Sequence, residues 1–199
     1  MSDSASRRNF ARAAAKLAAT AGAELPALIL MTDDERLADP LAAARALPRG
    51  AMVILRAREA AKRRNLALAL REVARARGLF QLIASDIALA RQIGADGVHL
   101  PEARLGEAAA IRAQTSLIIT ASAHSLAALR KADAVDALIL SVVFASQSHP
   151  DGASLGPLRA AAMARLCPLP VYALGGITAK NAGRLASFCG IAAIGALKA

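Results

Sequence analysis

The sequence predicts an α/β protein that folds as a single (β/α)8 TIM-type barrel with an extra N-terminal helix and no final eighth helix. Eight short apolar runs indicate strands, and they begin near residues 27, 52, 80, 97, 117, 137, 170 and 190. Segments with helical character lie between them, and eight strands that alternate with helices form a parallel sheet that closes into a barrel. The alternative, an open doubly wound sheet, normally has fewer strands.

Turn and cap signals bound each predicted element. The apolar runs predict buried strands over 27–31, 52–55, 80–84, 97–100, 117–120, 137–143, 171–174 and 190–194. The segments between them predict helices over 40–47, 60–77, 88–93, 106–114, 125–131, 157–166 and 179–187. Thr178 is the predicted N-cap of the last helix, and Gly78 is expected to end the second.

Residues 1–22 are expected to form an N-terminal helix and residues 23–199 the barrel domain. Phe10, Ala14 and Leu17 repeat at helical spacing, which favours an amphipathic helix. The same segment bears Arg and Ser and is poor in acids, as in an organelle transit peptide, so a targeting segment is the alternative. Because the sequence ends five residues after Ile194, we expect the N-terminal helix to cover the barrel flank that an eighth helix would cover.

Composition indicates one domain with a large core and a basic surface. The chain has 199 residues, of which 56% are hydrophobic, and a formal net charge of +10. That charge invites a nucleic-acid interpretation, but the arginines are scattered through Ala-rich helices and are not interleaved with aromatic residues. We therefore expect basic helix exteriors and an anion-binding site, with no nucleic acid as partner.

Cysteine usage and hydropathy predict a cytoplasmic protein. Cys167 and Cys189 lie in or beside apolar segments without metal-ligand spacing, as expected of packing residues in a reducing compartment. No charge-free run of about 18 apolar residues is present, so we expect no membrane span. The sequence leaves the oligomeric state open, with a homodimer among the expectations.

Polar residues and glycines follow the predicted strands, at the end where a TIM-type barrel carries its chemistry. Cations, hydroxyls and backbone amides predominate and carboxylates are few, a combination suited to a phosphorylated, anionic ligand. Surface or capping duty is the alternative for each single residue. The set comprises Asp33, Arg56, Arg58, Ser85, Asp86, His99, Ser122, His124, Ser125, Ser146, Ser148, His149, Gly175, Gly176 and Gly195.

The glycines after the last two strands predict a phosphate-binding cup. Gly175 and Gly176 follow the strand at 171–174, and Gly195 follows the strand that ends at Ile194. Glycine lets the backbone approach a ligand closely, and amides at a following helix start attract an anion. Either motif alone could be an ordinary strand-to-helix turn. In a parallel barrel, however, the loops after strands seven and eight are where phosphates usually bind.

The order of these motifs resembles the thiamine phosphate synthase and thiazole tautomerase family, whose members are single TIM-type barrels. The resemblance extends from Leu28 to Leu197 and is carried by Ser85-Asp86 with IALARQIGADGVHL, then ASAHSL, FASQSHPDGASLG and PVYALGGITAKNAGRL. It implies a role in thiamine biosynthesis. The family's synthase couples hydroxymethylpyrimidine pyrophosphate to a thiazole phosphate and releases pyrophosphate with the help of Mg²⁺.

The resemblance implies a substrate site at the ends of the second and third strands. Where the family has Gln-Leu-Arg-Glu-Lys, this chain has Ile-Leu-Arg-Ala-Arg, which keeps Arg56 and places Arg58 at the position of the lysine. Both are expected to contact the substrate phosphates, and Arg58 is also a candidate catalytic residue. The family's Asn-Asp becomes Ser85-Asp86, so that Asp86 is the expected Mg²⁺ ligand.

Two departures put the metal in question. The family's second Mg²⁺ carboxylate follows the fourth strand, and Arg104 stands in its place, with Glu102 as a conceivable substitute. A guanidinium opposes a cation, whereas magnesium relies on carboxylates and substrate phosphates. In the loop after the sixth strand, the family's Thr-x-Thr-Lys-Pro becomes Ser146, Gln147, Ser148, His149 and Pro150. Mg²⁺ is therefore a doubtful cofactor.

Three functions follow from the resemblance. The first is a divergent thiamine phosphate synthase, a transferase. The second is a metal-independent thiazole tautomerase, an isomerase in which His124, in the Ser122-x-His context, is the acid–base residue. Since synthases also carry a histidine there, His124 alone does not choose. The third is a non-catalytic binder of a phosphorylated ligand.

Overall fold

Eight parallel strands form a closed barrel, which confirms the predicted fold class. The computed structural model describes residues 3–21, 24–145, 154–185 and 187–197. Each strand pairs in parallel with the next one in the chain, and the eighth pairs with the first. The strands are β1 (Leu28–Met31), β2 (Met52–Leu55), β3 (Phe80–Ala84), β4 (Gly97–Leu100), β5 (Ile118–Ala123), β6 (Ala137–Ser141), β7 (Val171–Leu174) and β8 (Gly190–Ala193).

The described residues form seven α-helices, one before β1 and one after each of the first six strands. They are α1 (Asp3–Ala21), α2 (Pro40–Arg45), α3 (Ala60–Arg77), α4 (Ile87–Ile93), α5 (Ala108–Gln114), α6 (Leu126–Lys131) and α7 (Pro157–Arg165). After β8, the described residues form a short 3-10 helix, Gly195–Leu197. None of the described helices combines the length and apolarity needed to cross a membrane.

Local sequence accounts for the helix ends. Asp86 and Ser125 begin α4 and α6, and their side chains accept hydrogen bonds from the amides of Leu89 and Ala128. Gly78 ends α3 with the left-handed backbone (φ 61°) that glycine adopts at low cost. These caps fix the points at which the chain leaves and re-enters the barrel wall.

The strand register directs the side chains. Paired residues of parallel neighbours point to the same side of the sheet, and His99 pairs with Thr120 while Ser122 pairs with Ile139. On β3, the Gln81 side chain donates to the Ala67 carbonyl of α3 and therefore faces outward, so that Ala84 and its partner His99 face the barrel interior. His99 lies there within hydrogen-bond distance of Thr120 and Ser122. The interior is therefore apolar toward the strand starts and polar toward the ends of β4 and β5.

Helix α1 packs on the outside of the barrel. It contacts β8, β1 and the 3-10 helix Ala182–Arg184, and its side chains Phe10, Ala14 and Leu17 are buried. These contacts support the hypothesis that α1 covers the flank between the last and first strands. The division of the chain at residue 22 stays a prediction.

Two stretches differ from the sequence-based expectation. The predicted helix over 179–187 is a 3-10 helix limited to Ala182–Arg184. The Thr178 carbonyl accepts from the amides of Asn181 and Ala182 in a single turn. No hydrogen bond of the Thr178 side chain caps this turn; instead the Asn181 side chain accepts from the Thr178 amide and donates to the Gly176 carbonyl. In addition, an unpredicted 3-10 helix, Glu102–Glu107, precedes α5.

Candidate active site

The carboxyl ends of β1, β2 and β3 surround a small polar cavity. Its volume is about 190 Å³, and Arg56, Arg58 and Ser85 line it, as the sequence predicts for neighbours in space. The other lining residues are Asp33, Asp34, Glu35, Ala57, Arg63 and Ala84. The cavity therefore collects both cations and carboxylates at one sector of the barrel mouth.

Each β1 carboxylate at this mouth already has a cationic partner. Asp33 accepts from the Arg36 guanidinium at 2.7 Å and from the Arg36 amide, and these bonds lower the pKa of Asp33 to about 2. Asp34 lies 3.0 Å from the ammonium of Lys62 and accepts from the Arg58 amide, which lowers the pKa of Asp34. These carboxylates are ionised at neutral pH and committed to cations of the chain.

Asp86, the predicted metal ligand, is committed in the same way. One carboxylate oxygen accepts the Leu89 amide as the cap of α4. The other oxygen accepts from Nη1 of Arg63 at 3.1 Å, and Arg63 also donates to the carbonyls of Ala57 and Arg58. The Arg63 guanidinium thus ties the end of β2 to the end of β3.

Arg104 lies against the same strand end. Its Nη1 donates to the Ser85 carbonyl at 2.8 Å, while Nε and Nη2 form a two-point ion pair with Glu107. Glu102, the alternative ligand, accepts from the His124 amide and the Ser125 hydroxyl and so faces the loop after β5. A guanidinium therefore occupies the position at which the family pattern has a carboxylate.

The residues at this strand end do not fit a magnesium ion. Mg²⁺ needs oxygen ligands in octahedral geometry and usually takes one or two carboxylates besides substrate phosphates. Both carboxylate oxygens of Asp86 already accept hydrogen bonds from the chain. Arg104 brings a positive charge, the same sign as that of a metal ion, to the carbonyl of the preceding residue, Ser85. Across the described ranges, no cluster of three or more potential metal-ligating side chains exists.

His99 forms a buried polar chain inside the barrel, next to this cavity. The side chain is 3% exposed, with Nδ1 2.9 Å from the Thr120 hydroxyl and Nε2 3.0 Å from the Ser122 hydroxyl. Burial and the positive charge of Arg56 lower the pKa of His99 to about 3, so the imidazole is neutral. The guanidinium of Arg56 itself is exposed and makes no hydrogen bond or ion pair with a described residue.

His124 lies on the opposite side of the mouth, after β5. Its Nδ1 is 3.2 Å from the Ser141 carbonyl and 3.1 Å from the Ser141 hydroxyl, while Nε2 has no partner among the described residues. When Nδ1 carries the proton and donates to the carbonyl, Nε2 is an exposed acceptor, which is the arrangement of a general base.

The turn after β7 requires both of its glycines. Gly175 and Gly176 have positive φ angles of 102° and 62°. A Cβ atom on Gly175 would lie 2.6 Å from Cγ1 of Val142, and one on Gly176 would lie 2.4 Å from the Ala145 carbonyl oxygen. Within the described chain, the amides of these two glycines donate no hydrogen bond, so they are open to an anionic ligand.

The other predicted site residues divide into three groups. Gly195 is exposed and begins the 3-10 helix after β8, near the glycine turn in strand order. Ser122 points inward to His99 rather than to the cavity at β1–β3. The third group, Ser146, Ser148 and His149, lies outside the described residues.

Arg63 is a site residue that the sequence-based list misses. Its place in an Ala-rich helix predicts a basic helix exterior, yet it lines the mouth cavity and binds Asp86. Helix α3 begins at the carboxyl end of β2, so the first turn of that helix lies at the mouth. The signal that could have found Arg63 is therefore its place in a first helical turn, five residues after Arg58.

Fold and site together define an α/β barrel with a polar mouth that is lined by arginine side chains. Comparison with known proteins agrees with this class. The family model described as thiamine monophosphate synthase matches residues 28–198, which include all eight strands. The chain therefore belongs to the thiamine monophosphate synthase family.

Individual relatives support the same assignment. The thiamine-phosphate synthase of Thioalkalivibrio sulfidiphilus is 34% identical over 172 residues, covering 81% of each chain. That of Chromobacterium violaceum is 36% identical over 146 residues, covering 70% of each. A relative in Aquifex aeolicus is 40% identical over 95 residues, and this alignment spans only half of the relative.

A solved structure shows the same architecture. The thiamine phosphate pyrophosphorylase from Pyrococcus furiosus superposes with a TM-score of 0.72 at 25% sequence identity, covering 84% of each chain. The predicted family and the predicted barrel are thereby confirmed.

Proposed function

We propose that this chain is a thiamine phosphate synthase that condenses hydroxymethylpyrimidine pyrophosphate with a thiazole phosphate. The observation that carries the proposal is the family match over residues 28–198, because it includes every strand end that forms the mouth. In this reaction the thiazole nitrogen forms a bond to the pyrimidine methylene carbon. The bond from that carbon to the diphosphate oxygen breaks, and pyrophosphate leaves with the bonding electrons.

The glycine turn supports binding of the thiazole phosphate. The open amides of Gly175 and Gly176 present two N–H donors at the end of β7, where barrels of this type bind phosphate. Gly195, after β8, is the proposed third element of this cup. Backbone amides bind a phosphate dianion without requiring a titratable group.

Arg56 and Arg58 support binding of the diphosphate on the other side of the mouth. The guanidinium of Arg56 makes no hydrogen bond or ion pair with a described residue, and the guanidinium of Arg58 has among them only an exposed ion pair with Glu35. Negative charge grows on the departing diphosphate in the transition state, so prearranged guanidinium donors lower the barrier. We propose that Ser85 and Ser122 position the substrates between these two groups, together with Ser146, Ser148 and His149.

Tautomerase activity is a second candidate, and the geometry of His124 favours it. An exposed histidine whose Nδ1 contacts Ser141 and whose Nε2 has no described partner is suited to move a proton on a bound thiazole carboxylate phosphate. This reaction needs neither a leaving diphosphate nor a metal. The arginine side chains at the β1–β3 cavity, in contrast, support the synthase, because that reaction has a departing diphosphate for them to bind.

The test is to incubate the protein with each substrate set and identify the products by mass spectrometry. We expect thiamine phosphate and pyrophosphate from the two synthase substrates, with the rate reduced at least tenfold in Arg56→Ala. Isomerised thiazole without thiamine phosphate, abolished by His124→Ala, would establish the tautomerase instead. Thermal stabilisation by thiazole phosphate without any product would identify a binder.

We place the activity in the cytoplasm, which the free thiols of Cys167 and Cys189 support.

A further inference from the structure

The end of β3 carries more positive charge than the family pattern. That pattern places two carboxylates around a magnesium ion, one after β3 and one after β4. In this chain the second carboxylate is replaced by the guanidinium of Arg104. A change from aspartate to arginine adds two units of positive charge, the same charge that a Mg²⁺ ion would bring to the site.

Arg63 binds the carboxylate that remains. It donates from Nη1 to Asp86 at 3.1 Å, and its side chain is held by two backbone carbonyls of the β2–α3 loop. The pair is mostly buried, with side-chain exposures of 23% for Arg63 and 29% for Asp86. Arg63 also lines the mouth cavity, so the cation bound to Asp86 faces the same space as Arg56 and Arg58.

Arg104 holds the adjacent backbone in place. Its Nη1 donates to the carbonyl of Ser85, the residue before Asp86, and Glu107 accepts from Nε and Nη2. Three of the five guanidinium N–H groups are used, and one N–H remains on each terminal nitrogen. Ser85 lines the cavity, so Arg104 contacts the cavity wall through this residue without lining the cavity itself.

We propose that the guanidinium groups of Arg63 and Arg104 take the place of the magnesium ion in this chain, so that the substrate diphosphate binds to arginine side chains without a metal. Arg56 completes the set from the end of β2. Guanidinium groups match phosphate oxygens in two-point geometry and stay charged at all physiological pH values. The inference deepens the proposed function and rests on it for the identity of the anion.

Calorimetric titration with inorganic pyrophosphate tests the inference, with EDTA in one series and Mg²⁺ in the other. The full-length wild-type protein is expected to bind pyrophosphate in EDTA. Arg104→Ala is expected to weaken that binding at least tenfold, and Arg104→Lys to weaken it less because it retains the charge. The matched control is Arg75→Ala, since Arg75 also pairs with a glutamate three residues away but lies in the last turn of α3.

A charge-reversal variant sharpens the test. The double variant Arg63→Ala, Arg104→Asp releases Asp86 from its arginine and returns a carboxylate to the family position. We expect it to lose pyrophosphate binding in EDTA and to regain it when Mg²⁺ is added. Circular dichroism melting of each variant verifies folding, and the Arg104→Lys comparison supplies the answer if the double variant unfolds.

Binding of pyrophosphate to the wild type only with Mg²⁺, or binding by Arg104→Ala within twofold of the wild type, would overturn the inference. Failure of the inference and failure of the proposed function give different results. Product formation that requires Mg²⁺ leaves the synthase standing and removes the arginine substitution. Metal-free pyrophosphate binding without product formation supports the arginine site and contradicts the proposed synthase activity.

Discussion

The two sides of the barrel mouth solve the problem of binding phosphate in different ways. On the β1–β4 side, charged side chains predominate. Asp33, Asp34 and Asp86 each form an ion pair with a cationic side chain of the protein. On the β5–β8 side, hydroxyls, a histidine and glycine amides predominate, and the turn at Gly175 and Gly176 is packed against the loop after β6. One side depends on charge and the other on backbone shape.

This difference predicts how each side changes in evolution. Ionic contacts between side chains tolerate replacement as long as charge is conserved, which is consistent with our proposal that Arg63 and Arg104 take the place of a magnesium ion. A turn in which a Cβ atom would lie 2.4 Å from a carbonyl oxygen tolerates no side chain. Substitutions at the glycines of the β5–β8 side should therefore mainly lower the stability of the fold. Substitutions of the charged residues on the β1–β4 side should mainly weaken ligand binding.

The largest effect is expected for Gly176→Ala. The substitution forces a Cβ atom against the Ala145 carbonyl at a positive φ of 62°, so we expect a loss of roughly 2–4 kcal/mol in the free energy of unfolding. Urea denaturation measures it. The control is Gly183→Ala, because a Cβ there meets nothing within 4 Å and φ is not positive. Equal stability of the two variants would remove the distinction between the two sides.

The pH dependence of stability tests His99, which joins β4 to β5. Its pKa is about 3 in the folded protein and about 6.5 when unfolded, so the unfolded state binds the extra proton between these values. The contribution of His99 to the free energy of unfolding is therefore complete above pH 6.5 and falls as the pH decreases toward 3. At pH 5 we expect a loss of about 2 kcal/mol from this group. We therefore expect the free energy of unfolding to fall by about 2 kcal/mol less between pH 7 and pH 5 in His99→Gln than in the wild type. An equal decrease in the two proteins would contradict the assignment.

Arg63→Ala should have a moderate effect on stability. It removes an ion pair of low exposure and two hydrogen bonds to carbonyls, for an expected cost of about 1–2 kcal/mol. Asp86 keeps its cap on α4, so the helix should remain, as far-ultraviolet circular dichroism can verify. A loss of α4 would show that Arg63, rather than the cap, holds this strand end.

Arg58→Ala should have the smallest effect on stability. The Arg58 side chain is 88% exposed, and Glu35, its one ionic partner among the described residues, is also exposed. We therefore expect a change below about 0.5 kcal/mol in the free energy of unfolding, measured by thermal denaturation. Pyrophosphate affinity should nevertheless fall severalfold. An Arg58→Ala variant that is clearly less stable but binds pyrophosphate with wild-type affinity would contradict the claim that Arg58 acts in ligand binding rather than in stability.

The sequence is sufficient to predict the barrel because its signals are local. Apolar runs of four or five residues between cap residues predict β2, β3, β4 and β7 with their observed bounds, and Gly78 ends α3 as expected. The predicted helix over 179–187 is wrong: the chain makes one turn at Thr178 and a 3-10 helix over Ala182–Arg184. The Asn181 side chain bonds to the backbone of Thr178 and Gly176 there, and such side-chain contacts are not visible in helical periodicity.

The site is predicted less completely than the fold. The mouth residues Arg56, Arg58 and Ser85 do line one cavity, because parallel strands bring their carboxyl ends together. The pairing of Asp86 with Arg63 could not be predicted, since it depends on which direction a long side chain takes from the first turn of α3. The placement of Glu102 toward the loop after β5 depends likewise on the 3-10 helix that the sequence does not indicate.

The most direct test of the central claim is the coupling reaction in EDTA. Wild-type protein, with hydroxymethylpyrimidine pyrophosphate and thiazole phosphate as substrates, is assayed for thiamine phosphate by mass spectrometry, with and without added Mg²⁺. We predict thiamine phosphate in EDTA, formed at least tenfold more slowly by Arg104→Ala and at an unchanged rate by Arg75→Ala. Product that forms only with Mg²⁺, or no product under either condition, would contradict the claim that arginine side chains supply the positive charge of a working synthase site.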